Sequence, residues 1–136
     1  MSSTQHKAPG IGPNGAPYRV LVVDDSVFVQ KQLKQILTSE LFDVVDIAND
    51  GLEGVNKYKL ITPPVDLVTM DITMPNMDGI TALKTILEYD PNAKIVMISA
   101  IGREDLVKQA LIAGAKNYMV KPLDRKKVIE RISGVL

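Results

Sequence analysis

Cysteine is absent from the chain, which excludes disulfides, thiol catalysis and cysteine-based zinc sites. Tryptophan is absent as well, and the one histidine, His6, lies close to the N-terminus. With no histidine further along and no G-x-S-x-G, a serine hydrolase has nothing to build on. No G-x-x-x-x-G-K-[ST] loop is present, which argues against ATP as a ligand. Net charge is missing too: Lys plus Arg number 16 and Asp plus Glu number 16. The chain therefore carries no bulk basic field to attract nucleic acid or hold it on an anionic membrane. No apolar run approaches the about 20 residues needed to span a bilayer. The opening MSSTQHKAPG lacks the apolar centre of a secretory signal. The expected location is the cytoplasm.

What remains is ordinary globular composition, 46% hydrophobic and 24% charged over 136 residues, enough for one domain with a real core. Residues 1 to 17 stand apart. They hold Pro9, Pro13, Pro17, Gly10, Gly12 and Gly15 with almost nothing apolar, and read as a disordered tail before a domain at 18–136. The tail contains GIGPNG, a formal G-x-G-x-x-G. No strand precedes it and Pro13 interrupts it, so it carries no dinucleotide site.

From residue 18 the pattern alternates. Strand-like runs occur at RVLVV (19–23), DVVDIA (43–48), VDLVTM (65–70), KIVMIS (94–99) and NYMV (117–120). Helical periodicity fills the gaps. Val29, Leu33, Ile36 and Leu37 share a face, as do Ile80, Leu83, Ile86 and Leu87, and then Val128, Ile132, Val135 and Leu136. GLEGVNKYKLI forms a weaker helix before Pro63, and another runs from Arg103 to Ala113, stopped by Gly114. Alternating strands and helices imply an α/β fold, a parallel sheet covered on both faces. The order 2-1-3-4-5 is carried over from known doubly wound five-stranded proteins.

In such sheets ligands gather outside the carboxyl ends of the strands. Here the first strand ends at Asp24 and Asp25, the third at Asp71, the fourth at Ser99 and the fifth at Lys121. Adjacent carboxylates about 4 Å apart repel by roughly 4 kcal/mol near a protein surface, so something must offset the repulsion. Three carboxylates without histidine or thiolate are hard oxygen ligands that suit Mg²⁺, which bridges readily to phosphate oxygens. Asp71 is then free to attack a phosphoryl group and become an aspartyl phosphate. Lys121 suits a phosphoryl oxygen as a point charge, and Ser99 can donate its hydroxyl to another. Met70, Met74, Met77, Met97 and Met119 cluster near this edge in sequence and read as packing residues.

VLVVDDS, MDITMPNMDG, VMISA and NYMVKP, in that order, make residues 18 to 136 resemble a bacterial response-regulator receiver domain of the stand-alone chemotaxis kind. The resemblance implies a flavodoxin-like three-layer sandwich with five strands and five helices. It also implies that Asp71 accepts a phosphoryl group from a CheA-like histidine kinase. Asp24, Asp25, Asp71 and the Thr73 backbone carbonyl would bind Mg²⁺. Ser99 and Lys121 would contact the phosphoryl group, and Tyr118 would be the aromatic switch. The bond before Pro122 would be cis. The flagellar motor switch protein would be the target, and a phosphatase of the phosphorylated regulator would reset it. Ile101, two residues beyond Ser99, offers no polar group to orient a water, which points to a long-lived phosphate.

The first rival is a receiver of another two-component pathway, or one belonging to a larger DNA-binding regulator. The last helix ends the sequence and the charge is neutral, which favours the stand-alone form. The second is an aspartyl-nucleophile phosphatase with a D-x-D signature. Here Asp71-Ile72-Thr73 lacks the second carboxylate, so the chain is expected to be a phosphoacceptor that assists its own phosphorylation and dephosphorylation, and not an enzyme.

Overall fold

The computed structural model describes residues 8–136. Strands and helices alternate as β1 Arg19–Val23, α1 Val27–Ser39, β2 Asp43–Ala48, α2 Gly51–Leu60, β3 Leu67–Asp71, α3 Gly79–Tyr89, β4 Ile95–Ser99, α4 Glu104–Ala113, β5 Asn117–Val120 and α5 Arg125–Ser133. The five strands form one sheet in the order β2-β1-β3-β4-β5, and every pairing is parallel.

Side-chain alternation along the strands splits the core into two layers. Leu21, Val23, Val68, Met70, Ile95 and Met97 face one side, against Val55, Leu83, Ile86 and Val107 of the helices there. Val20, Val22, Leu67, Val96, Ile98 and Met119 face the other, against Val29, Leu33 and Leu37 of α1 and Val128 and Ile132 of α5. Val135 and Leu136 lie beyond the end of α5 yet still pack on that second layer. Ser26, Asp50, Asp78 and Asp124 each accept a hydrogen bond from a backbone N–H in the first turn of the helix they precede. Each such cap contributes about 1 kcal/mol. All four helices start at the edge where strands end, so the capping turns and the candidate site share the same loops. α4 ends at Gly114, whose φ of 120° only glycine adopts readily.

The expectation of a disordered tail fails for residues 8–17; residues 1–7, with His6, lie outside the described residues. Ile11 and Pro17 form an antiparallel bridge, and the Gly12 N–H donates to the Ala16 carbonyl at 2.8 Å. This hairpin docks under the α1–β2 turn: the Gly10 N–H donates to the Glu40 carbonyl at 2.8 Å and the Tyr18 N–H to the Gly10 carbonyl at 2.7 Å. A Cβ on Gly10 would lie 2.2 Å from the Phe42 nitrogen, so only glycine permits the approach. Backbone hydrogen bonds, which leave no trace in hydropathy, order the segment. Removing residues 1–17 is expected to lower unfolding free energy by about 2 kcal/mol, since each lost hydrogen bond is worth about 1 kcal/mol net. Urea unfolding of residues 18–136 beside the full chain measures this, and equal midpoints would contradict it.

Candidate functional site

Asp24 immediately follows β1 and Asp71 closes β3, and the sheet buries both: Asp24 is 0% exposed and Asp71 5%. Asp25, next in the chain, is at the surface. One oxygen from each of these three carboxylates lies within 4.8 Å of the others. From the end of β5, Lys121 reaches across with its Nζ 3.4 Å from Asp71 Oδ2 and 3.6 Å from Asp24 Oδ2. Strand ends far apart in sequence thus converge, because parallel strands bring all their carboxyl ends to one edge.

The electrostatics are unbalanced. Three carboxylates meet one ammonium, and each pair of like charges at this spacing repels by roughly 3 kcal/mol at an effective dielectric of about 20. Burial first, and then the charge of Asp24, push Asp71 up to about 7, with Lys121 opposing. Asp24 is likewise raised, chiefly by burial. The Ser26 N–H satisfies Asp24 Oδ1 at 2.8 Å, whereas the buried Oδ2 accepts no hydrogen bond. A buried carboxylate oxygen that makes no hydrogen bond and has only the Lys121 ammonium at 3.6 Å, beside two further carboxylates, is the kind of donor set that suits a hard divalent cation.

Ser99 ends β4 and is buried, but its hydroxyl donates to the Ala100 carbonyl at 3.0 Å and not into the acidic cluster. Thr73 sits in the exposed turn after β3. The Lys121–Pro122 bond is cis, as is Thr62–Pro63. Tyr118 is half-buried on β5, with the Arg131 guanidinium 5.0 Å from its ring centroid. Its ring borders a cavity of about 510 Å³, also lined by Lys108, Leu111 and Val120 together with Ile101 and Ile112. Those last two isoleucines are 79% and 77% exposed, an apolar face beside the site. Of the methionines singled out, Met70 and Met97 are fully buried core residues, Met74 and Met119 are nearly so, and Met77 packs at the margin.

Nothing in the sequence assigns the β2–α2 turn or Gln30 to the site. Yet Asp50 Oδ2 accepts from Asn76 Nδ2 at 2.7 Å and the Gly51 N–H donates to the Met77 carbonyl at 3.1 Å. Both bonds hold the turn that carries Thr73. The only sequence signal was the N-D-G turn itself.

Residues 20–133 match the model of the response regulator receiver domain. The chain belongs to the response-regulator receiver family. It is 72% identical over 127 residues to the chemotaxis protein CheY of Treponema pallidum, covering 93% of this chain and 88% of that protein. The CheY of Bacillus subtilis is 49% identical over 119 residues, covering 88% of this chain and 98% of that protein. Among solved structures, a CheX–CheY–BeF₃–Mg²⁺ complex from Borrelia burgdorferi superposes with a TM-score of 0.91 at 57% identity, covering 96% of this chain and 98% of that one. This receiver is therefore CheY-like, a chemotaxis response regulator by similarity over nearly its whole length. The inferred strand order and layers hold, and the acidic cluster sits at the strand edge predicted for it. None of the helices among the described residues is long and apolar enough to cross a membrane.

Proposed function

We propose that the chain is a cytoplasmic phosphorylation switch, in which Asp71 accepts a phosphoryl group from a CheA-like histidine kinase and thereby changes affinity for the flagellar motor switch protein. The observation that carries this reading is the convergence of Asp24, Asp25, Asp71 and Lys121 on one edge of the sheet, with a buried Asp24 oxygen that makes no hydrogen bond. Asp24, Asp25, Asp71 and the Thr73 carbonyl would hold Mg²⁺, which would supply positive charge to offset the carboxylates and an incoming phosphoryl group.

In the transfer, an Asp71 carboxylate oxygen forms a bond to phosphorus while the bond to the kinase's histidine nitrogen breaks, and that nitrogen keeps the electron pair. Asp71 must be ionised to attack, so a cation beside it favours the reactive form. Lys121, already 3.4 Å from Asp71, meets a phosphoryl oxygen as a point charge. Ser99 needs only to turn its hydroxyl from the Ala100 carbonyl toward another. The new group adds about −1.5 to −2 charge at the sheet edge. The loop after β4 then shifts, and Tyr118 leaves Arg131 and turns inward, reshaping the apolar face of Ile101 and Ile112. The kinase supplies the phosphoryl group, and the chain assists its own phosphorylation and dephosphorylation. Ile101 gives no polar group for an attacking water, consistent with a long-lived phosphate that a partner phosphatase removes. The Borrelia relative's complex with CheX supports a CheX-like protein as a further partner.

Kinase carrying labelled phosphate on its histidine is expected to pass the label to this chain and not to Asp71→Asn. Phosphorylation is expected to tighten binding to the motor switch protein at least about tenfold, the usual scale of coupling between sites. Equal binding with and without phosphate would overturn the output, and label on Asp71→Asn would overturn the acceptor.

A further inference from the structure

Among the described residues five polar or charged side chains are buried: Asp24, Asp71 and Ser99 of the site, with Thr69 and Gln30. Gln30 stands on the inward face of α1 and belongs to no proposed ligand set. Its Nε2 donates to the Asp24 carbonyl at 2.6 Å and to Asn49 Oδ1 at 2.9 Å. Asn49 in turn donates through its side-chain Nδ2 to Glu53 Oε1 at 3.1 Å, and through its backbone N–H to the same oxygen. An ionised carboxylate only accepts, so Glu53 fixes which end of the Asn49 amide faces it. The Asn49 oxygen therefore faces Gln30, and the Gln30 amide must present its NH₂ to both Asn49 and Asp24. The polarity of the whole chain is set from its exposed end.

The same turn grips the other ligand-bearing loop. One residue beyond Asn49, Asp50 holds Asn76, and Gly51 holds Met77. The β2–α2 turn contributes no ligand, yet it ties the backbone of Asp24 to the loop that carries Thr73. A glutamine that merely satisfied its own burial would need partners but would not need them to be a ligand's backbone and the turn that braces the opposite loop.

We infer that Gln30 and Asn49 are positioning residues of the cation site, bracing Asp24 through its main-chain carbonyl so that its Oδ2 keeps its place in the acidic cluster where the metal would bind. The inference rests on the Mg²⁺ reading above. Neither residue touches the metal, so both act by orientation, as outer partners of metal ligands commonly do, with typical losses of 10–100-fold in affinity on removal.

The test is Mg²⁺ titration by calorimetry, with melting in EDTA and in excess Mg²⁺, on the full chain, Gln30→Met, Asn49→Ala and the double variant. Gln30→Met is expected to bind Mg²⁺ about 10-fold more weakly, and its Mg²⁺-induced rise in melting temperature to shrink beyond any change in EDTA. Asn49→Ala, at an exposed position that tolerates truncation, is expected to weaken binding less, and the double variant to resemble Gln30→Met because both act through one network. Wild-type affinity in both single variants would overturn the inference and leave the phosphorylation reading standing. An unsubstituted chain that takes up no Mg²⁺ would overturn the reading and the inference together.

Discussion

Asp24→Asn is expected to melt higher than the unsubstituted chain in EDTA at pH 8, and to lose Mg²⁺ binding by about 100-fold or more. The two effects have one cause. Burial and the neighbouring carboxylates hold Asp24 and Asp71 above the usual carboxylate range, Asp71 up to about 7 from 3.8. A carboxyl whose folded value is raised binds more protons folded than unfolded, so its stabilising share is complete below about pH 4 and is lost as the pH rises through about 7. Above that, two buried anions face one lysine without a metal. Asparagine keeps the shape and removes one charge, and should recover about 2 kcal/mol at pH 8 and little at pH 4. Mg²⁺ should stabilise the unsubstituted chain and leave the variant unmoved. Asp50 works in the opposite sense, since the Glu53 N–H and the Asn76 amide hold it low. It adds stability above the ordinary carboxylate range that is lost on acidification. Urea unfolding at pH 4, 6 and 8, with and without Mg²⁺, measures the profile. A variant no more stable than the parent at pH 8 in EDTA would contradict it.

Gly79→Ala carries the largest expected loss of stability. Alanine is ordinarily the better helix residue by about 1 kcal/mol. At Gly79 the sign reverses, because a Cβ would lie 2.0 Å from the Asp71 carbonyl oxygen and 2.8 Å from the Ile72 Cα. Those atoms are backbone at the end of β3 and cannot rotate aside. The Gly79 N–H also donates to the Ile72 carbonyl at 2.7 Å, fixing the start of α3 directly behind the phosphoacceptor candidate. Separating them must shift α3 or Asp71, and either breaks packing on a fully buried strand. A destabilisation of about 3 kcal/mol or more is expected in denaturant unfolding, together with weaker Mg²⁺ binding. A stability within about 0.5 kcal/mol of the parent would show that the approach is looser than described.

Hydropathy made the architecture legible because burial on both faces leaves continuous apolar strands, and RVLVV at 19–23 coincides with the interior strand β1 to the residue. VDLVTM was read as 65–70, whereas β3 is Leu67–Asp71, since apolar character does not mark where ladder hydrogen bonds begin. Asp24, Asp25, Asp71 and Lys121 could be placed together from sequence because parallel strands put all their carboxyl ends on one edge. Gln30 with Asn49 could not, being joined only by the folded path of α1 over β2. The 8–17 hairpin was missed for a related reason. Its order comes from main-chain hydrogen bonds and a glycine contact, while the composition rule weighs only side chains. Ser99 was placed at the right strand end, but the direction of a hydroxyl depends on a single rotor that sequence does not set.

The measurement that bears most directly on the switch chemistry is the intact mass of the protein after incubation with acetyl phosphate, with and without Mg²⁺, beside Asp71→Asn. With no tryptophan to report by fluorescence, mass is the direct readout. The expected result is a single phosphoryl adduct that needs Mg²⁺ and is missing from the variant. No adduct, or an equal adduct on Asp71→Asn, would contradict the account and leave a receiver fold whose acidic cluster does something else.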